Sequence, residues 1–184
     1  MLFPGFEEAM RRVITGDDAN GKSLVVIDGA PANAESATAP PGLYEIWHEA
    51  ASGPLNPKDN GDLGAQVAML CPDAGKVRVR WFVVHPMPEG GPVPGYNDLV
   101  RAGFAAIGAA DAVADQSRHP VMHRTQSLDV ICVIKGEVSL TLDNIEVQRL
   151  KPGNVVIQRG TAHGWTAIGE PALLLAVLIE RELV

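Results

Sequence analysis

The chain has 184 residues, which suits one domain with a full core, and its formal net charge of −7 with no basic patch argues against a nucleic-acid partner. Two cysteines, Cys71 and Cys132, are too few for a disulfide framework, and neither lies in a CxxC motif. Met1 to Val13 carries Glu7, Glu8, Arg11 and Arg12 without the apolar stretch of a signal peptide, and no apolar run approaches the ~20 residues of a membrane span, so a cytoplasmic protein is expected.

Nineteen Gly and 14 Pro imply many turns, and many turns favour an all-β architecture. In chain order, Phe6 to Arg12 reads as a short helix. Arg12 to Thr15 and Ser23 to Asp28 read as a hairpin around the turn signal Asn20-Gly21. Ala30 to Gly42 and Ala51 to Gly64 are long Gly/Pro-containing loops, with a strand carrying Trp47 and His48 between them. Ala65 to Leu70 and Lys76 to His85 read as strands. In the second, Val77, Val79 and Trp81 alternate with Arg78, Arg80 and Phe82, which implies one buried face and one partly wet face. Tyr96 to Asp111 is the convincing helix, with Asn97 as its cap and Leu99, Val100, Gly103, Phe104 and Ile107 on one side. It would pack outside a β domain or cover a pocket mouth. From Val121 onward short strands recur: 129–134, 138–142, 145–150, 154–158, 164–167 and a strongly apolar 172–180. Turn residues separate them, as in a sandwich or barrel. Cys132 lies in one of these strands and reads as a small core residue.

The chemistry-bearing run is His123-Arg124-Thr125-Gln126-Ser127-Leu128-Asp129. If one strand runs unbroken through it, His123, Thr125, Asp129, Ile131 and Val133 share a face. His163 returns one hairpin later, three residues after Gly160. The spacing resembles the two motifs of the cupin superfamily, G-x5-H-x-H-x3,4-E-x6-G and G-x5-P-x-G-x2-H-x3-N. Counting back from Gly136 puts Asp129 at the Glu position, Thr125 at the second His and His123 at the first. Gly153, Gly160 and His163 match the second motif with its first spacer one residue short, Gln158 standing for the Pro. Arg118-His119-Pro120, Met122-His123-Arg124-Thr125, Gly136-Glu137-Val138, Gln158-Arg159-Gly160-Thr161, His163 and Trp165 resemble a group of small single-domain cupins. That resemblance covers about Arg118 to Ile179.

The resemblance implies an all-β, double-stranded β-helix (jelly-roll) barrel with additional N-terminal strands and one inserted helix. Residues 1–73 would form an N-terminal strand and loop extension and 74–184 the barrel core, with motifs at 118–136 and 153–165. It also implies a homodimer and a small-molecule substrate. Cupin metal sites commonly use three His and one Glu. Here His123, Asp129 and His163 remain as candidate ligands for a divalent ion such as iron, zinc or manganese, with Thr125 in place of a His. Lyase, isomerase and oxygenase chemistry are all compatible with such a site. Alternatively Asp129 and His163 form a metal-free acid/base pair, for dehydration or cyclisation. A binding module without turnover is the third reading.

Each site residue has a plainer alternative. His123 and His163 would be hydrogen-bonded interior histidines, and Asp129 a structural carboxylate paired with Arg124 or backbone. Thr125 would be structural or a hydrogen-bond donor to a ligand. Trp165 would be pocket wall or core. Arg159 would pair with an organic acid or project outward from its turn. His119 would be a fourth ligand or, more simply, a surface loop residue, and His48 a structural or exposed one.

Overall fold

The computed structural model describes residues 2–35 and 42–184; the rest of the loop expected over 30–42 lies outside the described residues. A hairpin comes first, β1 (Arg12–Asp17) with β2 (Ser23–Gly29). β3 (Leu43–Ala50), β4 (Lys76–Val84), β5 (Ser127–Lys135), β6 (Val138–Leu142), β7 (Glu146–Leu150), β8 (Val155–Arg159), β9 (His163–Ala167) and β10 (Ala172–Glu180) follow, with helix α1 (Tyr96–Ala106) between β4 and β5. Five strands pair antiparallel in the order β3-β4-β10-β5-β8 and three in the order β7-β6-β9. Val84, Ile131, Leu174 and Ala176 from the first sheet and Val138, Leu140 and Trp165 from the second share one apolar cluster, which joins the sheets into a β-sandwich barrel.

Most expected strands form within a residue or two. Three expectations change. The first helix shrinks to a single 3-10 turn, Glu8–Met10, because β1 takes over at Arg12. Residues 65–70 are not a strand. The backbone oxygens of Val67 and Met69 accept instead from the guanidiniums of Arg78 and Arg80, so a sheet ladder is replaced by side-chain donors. Helix α1 stops at Ala106, before Gly108 at φ 67°, and its N-cap is Gly95 rather than Asn97.

The alternation along β4 is real but reversed in meaning. Arg78 and Arg80 are 1% and 2% exposed and face the barrel interior, with Val84 on the same side. Trp81 faces outward and is also buried, because Phe6 and Met10 of the N-terminal segment cover it together with Tyr44 and Leu173. Trp81 and the two arginines are thus buried on opposite faces of β4. Arg12 pins the long 51–64 loop beneath this region, donating 2.7 Å and 2.5 Å bonds to the two carboxylate oxygens of Asp62.

Leu173 and Leu174 point to opposite faces of β10, and both are fully buried. Leu173→Ala is expected to cost about as much as Leu174→Ala, roughly 2–5 kcal/mol each. Paired urea unfolding curves check this. A cost for Leu173→Ala within the ~0.5 kcal/mol typical of surface positions would show that the outer face is not covered.

Candidate functional site

A cavity of about 450 Å³ opens into the barrel, and its lining includes every histidine of the expected site. His123 does not lie on the same strand as Asp129, as the unbroken-strand expectation had it. β5 begins at Ser127, and His123 forms a separate bridge directly opposite His163. Each N–H donates to the other's carbonyl at 2.9 Å, so the pair is locked through its backbone. Such a pair places its side chains on one side of the ladder, and the two ring centres are 4.3 Å apart.

The two rings are held in the same way. His123 Nδ1 lies 2.8 Å from the Val121 carbonyl, and His163 Nδ1 lies 2.9 Å from the Thr161 carbonyl. A carbonyl can only accept, so each Nδ1 carries the proton, and Nε2 is left with its lone pair for the cavity. Burial pushes both imidazoles below their ordinary value of 6.5; the neighbouring His163 lowers His123 further, while a nearby Asp129 partly opposes the shift at His163. Both rings are neutral bases.

Asp129 stands on β5, 2% exposed, and lines the same cavity. Its Oδ2 accepts from the Thr125 hydroxyl at 3.0 Å and its Oδ1 from the Ser127 hydroxyl at 2.5 Å. Burial raises its pKa, and the two hydroxyls and His163 oppose that rise. Thr125 therefore fills the vacant histidine position as a donor to the carboxylate. Among the described residues no three His, Cys, Asp or Glu side chains come together as a metal-holding group. Two imidazoles meet, and Asp129, near enough for its charge to act on the His163 ring, accepts from its two hydroxyls in the lining of the same cavity.

The other expected residues separate. Trp165 is buried and lines the cavity, 6.3 Å from the His163 ring. Arg159 is exposed and outside the cavity lining, because Gln158 takes the inward position on β8. His119 is buried rather than a surface loop residue: Nε2 bonds the Thr166 hydroxyl at 2.6 Å and Nδ1 accepts from the Val121 N–H at 3.3 Å. With both nitrogens used it has none left for a metal. Its ring lies so close to Gly164 that a Cβ there would approach Nδ1 to 2.6 Å, which explains a glycine between His163 and Trp165.

Helix α1 covers the pocket: Val100, Gly103, Phe104 and Ile107 all contribute to its lining, and the Phe104 ring lies 4.9 Å from that of His123. The floor holds residues that the sequence pattern does not flag. Glu45 on β3 contacts Arg78 at 3.2 Å and Arg80 at 2.9 Å, and all three side chains are at most 3% exposed. His48 joins them, bonded at 2.8 Å to Gln66. The register shift between Glu45 and Trp47 turns both Glu45 and His48 inward despite their odd spacing. Burial lowers the Arg80 pKa to about 10 and raises that of Glu45, each partly offset by the other.

No model of a known protein family matches the chain. It is 41% identical over 61 residues to the cupin-domain-containing oxidoreductase srdB of Neurospora crassa, covering 32% of this chain and 31% of that protein. It is 40% identical over 63 residues to the cupin-domain-containing oxidoreductase fogC of Aspergillus ruber, again 32% of this chain and 31% of the relative. Both stretches of likeness are to proteins named for a cupin domain. A further relative, phomopsin biosynthesis cluster protein C' of Diaporthe leptostromiformis, is 51% identical over 45 residues, 24% of each chain. The chain thus spans about a quarter to a third of the length of these curated relatives. Among solved structures, a cupin-2 domain protein of Shewanella frigidimarina shares 11% identity at TM-score 0.35, over 56% of this chain and 71% of that one. An RmlC-like cupin of Methanocaldococcus jannaschii shares 20% at TM-score 0.35, over 57% and 71%. No helix among the described residues is long and apolar enough to cross a membrane.

The lowered imidazole pKa values fix a sign. Because the folded-state values lie below 6.5, the unfolded chain takes up protons first as pH falls. The stability held by the neutral rings is full above about pH 6.5 and is lost as pH drops below it. Asp129 acts oppositely, its raised value penalising the fold as pH rises through the carboxylate range. Between pH 7 and 5 the wild type is therefore expected to lose more thermal stability than His163→Gln. Parallel melting curves that stay equally spaced over that range would refute the neutral pair.

Proposed function

We propose that this protein is a cupin-type enzyme that binds a small, largely apolar organic molecule in the barrel and moves a proton on it through His123 and His163. The observation that carries the reading is the pair of Nε2 lone pairs turned into one covered cavity, with both Nδ1 protons fixed by backbone carbonyls. A neutral imidazole accepts a proton, and its close neighbour then disfavours holding it, so the proton is readily passed on. Asp129, its pKa raised by burial and its oxygens held by two hydroxyls, is a second group in the same lining that can exchange a proton. Apolar residues of α1 and Trp165 line the cavity beside the pair and lower the local polarity of the exchange. This supports enolisation, dehydration or isomerisation next to a carbonyl. The relatives named oxidoreductases and biosynthesis cluster proteins support a place in small-molecule biosynthesis.

The two Nε2 donors also favour a second reading, in which an iron, zinc or manganese ion joins them. In that reading Asp129 would be the third ligand, oriented by the Thr125 and Ser127 hydroxyls.

Two measurements separate the readings. Elemental analysis of protein purified without chelator is expected to show less than one divalent ion per chain in wild type, His123→Ala and His163→Ala alike. A stoichiometric ion in wild type, absent from both variants, would overturn the metal-free reading. Deuterium uptake from heavy water at the carbon beside the carbonyl of phenylacetone, followed by NMR, is expected to be faster with wild type than with His163→Gln. Removing a general base typically costs about 10²–10⁴-fold. Wild type no faster than buffer would count against proton transfer as the activity.

A further inference from the structure

We propose that the barrel selects a small carboxylate with an apolar body, and that Arg80 receives its charged oxygens. The inference rests on reading the cavity as a ligand site and adds the charge of the ligand.

Glu45 is the one carboxylate within ion-pair distance of the Arg78 and Arg80 guanidiniums among the described residues, so the two buried cations share one contact ion. Asp129, the other interior carboxylate, acts on Arg80 only at longer range and gives its oxygens to the Thr125 and Ser127 hydroxyls. A buried guanidinium donor without an acceptor is costly, and the oxygens of a bound anion satisfy it.

The two arginines differ in what they face. Arg78 directs Nη1 to the Val67 carbonyl and Nη2 towards His48, and it is not part of the cavity wall. Arg80 is part of that wall. It spends Nη2 on Met69 and Glu45, and neither its Nη1 nor its buried Nε–H has a hydrogen-bond acceptor among the described residues. The guanidinium donors of the cavity wall that await an acceptor are thus those of Arg80. The remainder of the wall suits an apolar body, with Phe82, Phe104, Ile107 and Trp165 around it. A guanidinium at the floor and aromatic rings above it match a carboxylate joined to a flat or hydrocarbon group. The arginine that the motif offered for this task, Arg159, lies exposed on the outside.

Calorimetric titration with cinnamate and with its neutral amide, cinnamamide, tests the proposal. Wild type is expected to bind cinnamate at least tenfold more tightly than cinnamamide. Arg80→Met is expected to bind the two equally, and Arg80→Lys to retain part of the preference. Glu45→Gln leaves both arginines unpaired, so cinnamate is expected to raise its melting temperature by more than it raises that of wild type. This arm decides the matter if Arg80→Met does not fold. Equal affinity for the two probes in wild type would overturn anion selection and leave the ligand site standing. A preference that survives in Arg80→Met, or cinnamate stabilising Glu45→Gln no more than wild type, would overturn it in the same way. Binding of neither probe would overturn both the anion selection and the reading of the cavity as a ligand site.

Discussion

The structure depends on keeping two guanidiniums and two carboxylates buried inside a barrel. Charges taken from water must be solvated by the protein or matched by one another. Several local departures from regular structure serve that need. The irregularity between Glu45 and Trp47 sends two polar side chains inward across three residues, where a regular strand would send one outward. The Ile46 carbonyl accepts from Arg12, which in turn holds the 51–64 loop through Asp62. Residues 65–70 forgo strand pairing so that the Val67 and Met69 carbonyls can solvate Arg78 and Arg80. The N-terminal segment completes the arrangement by covering Trp81 and Leu173, so that the sheet bearing the charges buries apolar area on its outer face instead.

The histidine pair rests on a different constraint, backbone geometry. His123 and His163 exchange main-chain hydrogen bonds, and each ring bonds the carbonyl two residues before it. The two halves of the site thus repeat one local device, and the repetition brings the rings to 4.3 Å. Neither ring can gain a proton without facing the other at short range. The pair is therefore suited to passing protons and ill suited to storing charge.

The strands after Val121 were legible because their turns carry Gly, Pro and Asp-Asn signals and their cores alternate cleanly. β6 and β10 appear with the expected bounds. The histidines and Asp129 were legible as cavity residues through motif spacing. Their grouping was not, because spacing along a strand says nothing of whether the strand is continuous, and β5 starts four residues after His123. Arg80 and Glu45 were missed for a related reason. A strand with valines on one side and arginines on the other reads as apolar-in and charge-out. Only the cover supplied by Phe6 and Met10, some 70 residues away in sequence, reverses the assignment. The available signal was the companion strand, where Glu45 and His48 are the acid and base that the Arg78-x-Arg80 face needs. Helix α1 shows the same limit. Its apolar side was plain, but whether that side meets a sheet or a cavity is a tertiary fact.

Thr125 links the carboxylate to the histidine pair by what it leaves out. A histidine at this position would add a third imidazole to the wall and leave Asp129 without one of its hydroxyl donors. The threonine instead supplies that donor and removes a nitrogen ligand in the same substitution. With Ser127 on the other oxygen, both carboxylate oxygens have a hydroxyl donor, which fixes the carboxylate's orientation in the cavity lining. The consequence is a cavity whose proton-active groups are separated by type: neutral bases at His123 and His163, a raised carboxyl at Asp129, and a cation at Arg80. Groups that differ in this way can each act on a different atom of one bound molecule, whereas the same groups gathered around an ion would act on that ion alone.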